Sequence, residues 1–315
     1  MSVFDLSPNQ PSVIQIDDET DPRIAPYRNL RERTLRGESI FIAEGHLVTE
    51  RLLTSPYRTE SVLLSSKYPE TESILSLVPG NVPVYRMSEK LLMDTVVGFE
   101  FHQGILALGR RETLPDFPEG LALSDRKYLS DRRNQVSSNL LSTKRPERGR
   151  VWVVLPNATK PDNLGLVFRC AAALNAEAVV LGEECCDPFS RRALRVSMGG
   201  VLQVPIYQAR DLRNEIRQIK NQEAGSFYPG SIRDSLQFYA TVLDETAVGL
   251  HQVRNWPTRA AFLFGNEYTG LDADWIALCD QKLMIPMRPG VDSLNLGVSV
   301  GVFLYEYQRQ MNFPE

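Results

Sequence analysis

The sequence predicts an α/β fold in which a parallel sheet carries helices on both faces, preceded by a smaller α/β domain. Two observations lead there. From Val151 onward, short apolar runs alternate with amphipathic segments, the pattern of parallel strands joined by crossover helices. Three of those runs (VWVVL, AFLFG and KLMIP) lead into polar islands: Asn157 to Arg169 (NATKPDNLGLVFR), Gly265 to Leu271 (GNEYTGL) and Ile285 to Asn295 (IPMRPGVDSLN). Open parallel sheets collect ligands beyond the carboxyl ends of their strands, so the islands mark the expected site.

Residues 1–20 lack periodicity and read as a loose tail. Over 21–111 the pattern is mixed. FIAEGHLVTERLL reads as a strand tip entering an amphipathic helix, ESVLLSS as a strand, SEKLLMDTVV as a second helix and ILALG as another strand. Residues 112–150 lose apolar periodicity and collect proline, serine, asparagine and arginine, the composition of a linker or insertion. The remainder, 151–315, alternates VWVVL, a helix from Asn163, AVVL, a helix near Ser190 to Gly199, VPIY and a helix from Ala209. It continues with FYATVLD, a helix from Thr246, AFLFG, a helix from Asp272, KLMIP and a helix from Leu294.

Composition sets limits. With 315 residues the chain suggests about two domains, and 43% hydrophobic with 23% charged residues is ordinary for a globular protein. No apolar run approaches the roughly 18 residues of a membrane span, and the N-terminus lacks a signal-peptide pattern, so a cytoplasmic protein is expected. Cys170, Cys185, Cys186 and Cys279 have no metal-ligand spacing and read as reduced thiols; His46, His102 and His251 match no zinc pattern. No metal is expected.

A net charge of -4 argues against a uniformly basic coat, yet basic residues cluster locally. One cluster holds Arg23, Arg28, Arg31, Arg33 and Arg36; another, from Leu121 to Arg150, sets eight basic residues, among them Arg132, Arg133, Lys144 and Arg145, against three acidic ones. Solvated surface and contact with RNA phosphates are equally good readings of both.

Within the first island, Leu164, Val167, Phe168, Ala171 and Ala172 fall on one helical stripe, with Arg169 off it. Asn163, Ser293 and Asn295 suit helix capping, and Glu267 suits a helix N-terminus. A further stripe, Leu296, Val300, Phe303, Leu304 and Tyr307, makes the last helix core or interface. A dinucleotide-dependent oxidoreductase would need G-x-G-x-x-G after an early strand, and the chain has no G-x-G.

The pattern N-x-x-x-P-x-N-x-G-x-x-x-R, then G-N-E-x-x-G-L, then I-P-M with S-L-N, resembles the three signature motifs of the SpoU/TrmH family. The resemblance implies S-adenosylmethionine (AdoMet)-dependent methylation of a ribose 2'-hydroxyl in structured RNA, with rRNA favoured and tRNA the alternative. It also implies a C-terminal trefoil knot that forms the cofactor pocket, and a homodimer. By it Arg169, Asn163, Glu267, Ser293 and Asn295 are catalytic, with Arg169 activating the hydroxyl or clamping a phosphate and Glu267 orienting it. Phe264, Gly265, Asn266, Ile285, Met287, Leu294 and Asn295 would hold the cofactor. FIAEGHLVTERLL and HQGILAL resemble the family's N-terminal RNA substrate-binding domain. A non-catalytic RNA-binding or ribosome-assembly factor on the same fold is the reading from another class. Lys160 departs from the acidic residue often found before the proline, and Gly297 from the serine or alanine after S-L-N.

Overall fold

The computed structural model describes residues 11–28, 39–93, 104–138, 149–225, 235–288, 290 and 293–311, with the helical residues 128–138 and 223–225 described by their backbone alone. The chain divides into two compact units, Met1–Thr113 with Asp187–Gln203, and Leu114–Cys186 with Val204–Glu315.

The first unit holds a mixed five-stranded sheet of β1 (Val13–Ile16), β2 (Ile40–Glu44), β3 (Arg58–Ser65), β4 (Val84–Met87) and β5 (Ile105–Arg110), in the order β1-β4-β3-β5-β2. Its helices are α1 (His46–Leu53), α2 (Thr71–Leu77) and α3 (Glu89–Leu92). The expected strand-to-helix passage of FIAEGHLVTERLL is β2 followed by α1, turned at Gly45, whose φ of 92 suits glycine. Tyr27 is buried and donates its hydroxyl to the Ser61 carbonyl at 3.0 Å. Val13 to Ile16, expected in a loose tail, instead pair in parallel with Val84 to Met87. Four residues are too few for periodicity to register, and pairing with β4 supplies the order.

The second unit is built on a seven-stranded, wholly parallel sheet. In chain order it comprises α4 (Phe117–Ser138), β6 (Arg150–Leu155), α5 (Pro161–Ala173) and β7 (Ala178–Leu181). After α6 (Arg191–Val196), which belongs to the first unit, come β8 (Ile206–Gln208), α7 (Leu212–Gly225), β9 (Gln237–Thr241) and β10 (Val248–Gly249). β11 (Arg259–Phe264), α8 (Ala273–Leu278), β12 (Gln281–Met284) and α9 (Leu296–Met311) complete it. The strand order is β10-β12-β9-β11-β6-β7-β8. Every residue of β6 is buried, as expected for a strand covered on both faces.

Two other expectations are corrected. The presumed linker over 112–150 contains α4, whose Phe117, Leu121 and Ser124 are buried at helical spacing while the rest of the helix is polar enough to mask the stripe. The helix expected from Thr246 is absent: Asp244 accepts from the Thr246 amide at 2.8 Å, and a tight turn leads into β10.

α5 and α9 pack together where two glycines remove side-chain bulk. A Cβ on Gly297 would stand 2.4 Å from the Leu166 Cβ, and one on Gly301 would stand 3.3 Å from the Cys170 Sγ. This close approach gives the Gly297 departure a packing reason, and it brings the start of α9 beside the start of α5.

Candidate active site

The three islands converge at the carboxyl ends of β6, β11 and β12. There the loops after β9, β11 and β12 enclose a cavity of about 1230 Å³. Its wall includes Asn163, Phe264, Gly265, Asn266, Glu267, Ile285, Met287, Ser293, Leu294 and Asn295, so nearly the whole expected site is brought together.

At its edge lies a relay of side chains. Asn295 caps α9, its Oδ1 accepting from the Gly297 amide at 2.9 Å. That bond turns the Asn295 Nδ2 outward, and it donates to the Asn163 Oδ1 at 2.8 Å. Asn163 then donates its own Nδ2 to the Glu267 Oε1 at 2.5 Å. Asn163 is therefore no helix cap: Lys160 holds that position, with Pro161 at the first helical residue where proline is favoured. The Glu267 Oε2 is buried and has no hydrogen-bond partner among the described residues. A buried carboxylate oxygen left unmatched is costly unless a ligand supplies the donor.

The Gly265–Leu271 loop is rigid for a local reason. Asn266 and Gly270 exchange backbone hydrogen bonds of 3.2 and 2.9 Å, and the Asn266 side chain accepts from the Tyr268 amide at 2.9 Å. Gly265 was expected to admit a ligand closely. It admits its own chain instead, since a Cβ there would meet the Gly270 carbonyl carbon at 2.2 Å.

Arg169 is placed elsewhere. Six residues beyond Asn163, it stands about 9 Å further along the helix and about 120° around it. It is exposed, and it does not line the cavity. Within one chain Glu267 therefore meets Asn163 and not Arg169. Arg23 pairs with Asp21 at 2.6 Å and Arg28 donates to the Asp21 carbonyl at 2.7 Å, so both are engaged locally. Arg31, Arg33, Lys144 and Arg145 lie outside the described residues, as do the side chains of Arg132 and Arg133.

Sequence reasoning missed the Thr241–Thr246 wall. Asp244 there accepts from the Lys282 Nζ at 2.5 Å, and hydrogen bonds from Lys282 and Thr246 hold its carboxyl down at about 2. The D-x-T turn in VLDET could have been read as an Asx turn. Lys160 and Tyr268 were missed as wall residues as well.

The donor set suits a cationic, partly apolar ligand. Phe264, Ile285, Met287, Leu294 and Phe303 give the cavity an apolar lining, and Glu245 and Glu267 set two carboxylates against Lys160, Asp244 being paired with Lys282. Sulfonium and ammonium charges with an adenine ring match that arrangement, and the orphaned Glu267 oxygen adds a further acceptor. Among the described residues no cluster of three metal-ligating side chains occurs.

The chain is similar to several known proteins. The sequence profile of the SpoU rRNA methylase family matches residues 150–305. An uncharacterized tRNA/rRNA methyltransferase of Mycobacterium tuberculosis is 31% identical over 307 residues, covering 96% of this chain and 94% of that protein. A 23S rRNA (guanosine-2'-O-)-methyltransferase of Acinetobacter baylyi is 28% identical over 240 residues, or 76% of this chain and 84% of its own length. Among solved structures, an AdoMet-bound rRNA methyltransferase of Sinorhizobium meliloti shares the fold, with a TM-score of 0.70 and 24% identity over 95% of this chain and 98% of that one. An RNA 2'-O ribose methyltransferase superposes with a TM-score of 0.66 at 25% identity, covering 94% and 99% of the two chains. With its three islands joined around one cavity and a relative of this identity matched almost end to end, the chain belongs to the SpoU rRNA methylase family.

Proposed function

We propose that this protein transfers the methyl group of AdoMet to a ribose 2'-oxygen of structured RNA, with rRNA as the substrate. The observation that carries the reading is the Asn295–Asn163–Glu267 relay, which ends in an unpartnered carboxylate oxygen at the wall of the 1230 Å³ cavity. Bound AdoMet supplies a methyl group already activated by its sulfonium. The chain's task is alignment and charge placement. The Glu267 Oε2 accepts the hydrogen bond of the ribose hydroxyl, directs its oxygen toward the methyl and takes up the proton that this oxygen gives up. Asn163 keeps that carboxylate from turning, while Asn295 keeps Asn163 from turning.

Arg169 completes the site from a second copy of the chain. α9 leaves Val298, Val302 and Tyr305 exposed near the helical spacing of one face, with Leu294 exposed just before the helix, an apolar stripe without a partner in the single chain. Arg169 adjoins Cys170, whose Sγ meets the Gly297 carbonyl at 3.3 Å, so it lies on the helix that packs against α9. A two-fold dimer through α9 covers the stripe and carries each Arg169 to the interface, where its guanidinium clamps the phosphate of the partner's substrate. A trefoil knot around the cofactor loops and an RNA-binding role for the N-terminal unit follow from the family resemblance. Among the described residues no helix is long and apolar enough to cross a membrane.

The test is incorporation of labelled methyl from AdoMet into unmodified rRNA and tRNA, followed by digestion and mass spectrometry of the nucleosides. A 2'-O-methylated nucleoside from rRNA is expected. The same product from tRNA alone would move the substrate class. No product from either pool, with AdoMet binding intact, would leave the non-catalytic RNA-binding reading.

A further inference from the structure

Beside the relay, the tip of the Gly265–Leu271 loop carries Tyr268 with 74% of its surface exposed, on the wall of the same cavity. A large aromatic side chain so exposed usually sits on a loop that can fold it away. Here the paired Asn266 and Gly270 backbones and the Asn266 side chain fix the Tyr268 amide, so the backbone that carries the ring is held. Lys160, the residue that departs from the family pattern, holds its Nζ 4.4 Å from the centre of the Tyr268 ring. An ammonium at that distance is a cation–π contact and covers one face of the ring. The opposite face is left to solvent.

We infer that Tyr268 and Lys160 form the nucleotide receptor of this enzyme: the free face of the Tyr268 ring stacks the unpaired base attached to the target ribose, and the Lys160 ammonium holds a neighbouring phosphate. This inference rests on the methyltransferase reading of the cavity. Adjacency supports it, because Tyr268 follows Glu267, whose buried Oε2 is the acceptor assigned to the ribose hydroxyl. Base on the ring and ribose at the carboxylate are then neighbouring parts of one nucleotide. Charge supports it too. Lys160 is the only cation on a wall that otherwise bears carboxylates among its described residues, so a phosphate arriving there has one place to go. Donation from the ammonium to the Tyr268 hydroxyl oxygen and the nearby Glu267 charge both favour the protonated form. Stacking on one aromatic face does not discriminate strongly among bases, so Tyr268 sets how firmly the nucleotide is held rather than which base is chosen. The pair are positioning residues: neither touches the atoms that exchange the methyl.

The experiment measures methyl transfer into in vitro-transcribed 23S and 16S rRNA by the full chain and three variants, with AdoMet affinity determined separately by calorimetry. Tyr268→Ala is expected to raise the KM for RNA roughly tenfold to a hundredfold, the range of losing one stacked base. Its kcat and AdoMet affinity stay within about twofold, because the relay and cofactor loops remain intact. Tyr268→Phe retains the ring and restores the KM. Lys160→Gln makes the plot of log KM against log salt shallower by about one charge contact. An unchanged KM in Tyr268→Ala, a parallel loss of AdoMet affinity, failure of Phe to restore, or an unaltered salt slope in Lys160→Gln would each overturn the assignment. If the parent chain itself methylates neither RNA while tRNA is methylated, the same variants are read on tRNA. If the parent methylates no RNA, the methyltransferase reading falls, and this inference with it.

Discussion

Asn163 and Glu267, 104 residues apart, share a 2.5 Å hydrogen bond that ties the first polar island to the second. The bond uses one carboxylate oxygen and leaves the other buried and unmatched. Asn163→Ala removes the only described donor to Glu267, and the carboxylate is free to turn. Methyl transfer should fall by about a hundredfold, the usual consequence of misplacing a reacting group by about an ångström. Stability should drop by about 1–3 kcal/mol for the stranded carboxylate. Single-turnover rates and a urea titration check the two effects separately.

Arg169 lies outside the cavity of its own chain, so the dimer proposal has a sharp consequence. Arg169→Ala and Glu267→Gln should each be inactive while still binding AdoMet. Mixed and reassembled in equal amounts, they should recover about a quarter of the parental activity, since half the dimers are hybrids with one intact site. An inactive mixture containing demonstrated hybrid dimers would place Arg169 in the site of its own chain.

Gly297→Ala sets two effects against each other. Alanine gains at most about 1 kcal/mol over glycine inside a helix. The added Cβ, however, would stand 2.4 Å from the Leu166 Cβ, and that atom cannot swing away. Overpacking of this kind costs about 1–3 kcal/mol, so the denaturation midpoint should fall. Adding Leu166→Ala, which keeps the clashing Cβ, should recover none of the loss.

Asp244 supplies a pH-dependent element. Its carboxyl in the folded chain is held at about 2, below the ordinary 3.8, chiefly by the Lys282 hydrogen bond. A depressed carboxyl stabilises the folded state fully above the unfolded value and loses that contribution as pH falls through the folded one. The Thr241–Thr246 wall should therefore be insensitive to pH between 5 and 8 and loosen only toward pH 2, roughly. Asp244→Asn should weaken AdoMet binding equally across the neutral range, as calorimetry at several pH values would reveal.

The strands and the stripe of α5 were legible because burial imprints a period: Leu164, Val167, Phe168 and Ala171 are buried where the spacing placed them. α4 was missed because its apolar face is short, and β1 because four residues carry no period. The islands could be recognised as site segments from the residues they contain and from their positions after apolar runs. Their partners could not be read in the same way. The sequence leaves open whether Glu267 meets Arg169 or Asn163.

Local composition by itself determined where strands end, which helix faces turn inward and which loops carry polar chemistry, since these depend on neighbours a few residues apart. Only the tertiary structure decided that Asn295, Asn163 and Glu267 join in one relay, that Arg169 points away from it and that Lys160 caps one face of Tyr268. Those outcomes depend on β9, β11 and β6 lying side by side and on α9 approaching α5 across Gly297. Contacts between residues a hundred or more positions apart follow from strand order and helix packing, which the period of a single segment does not encode.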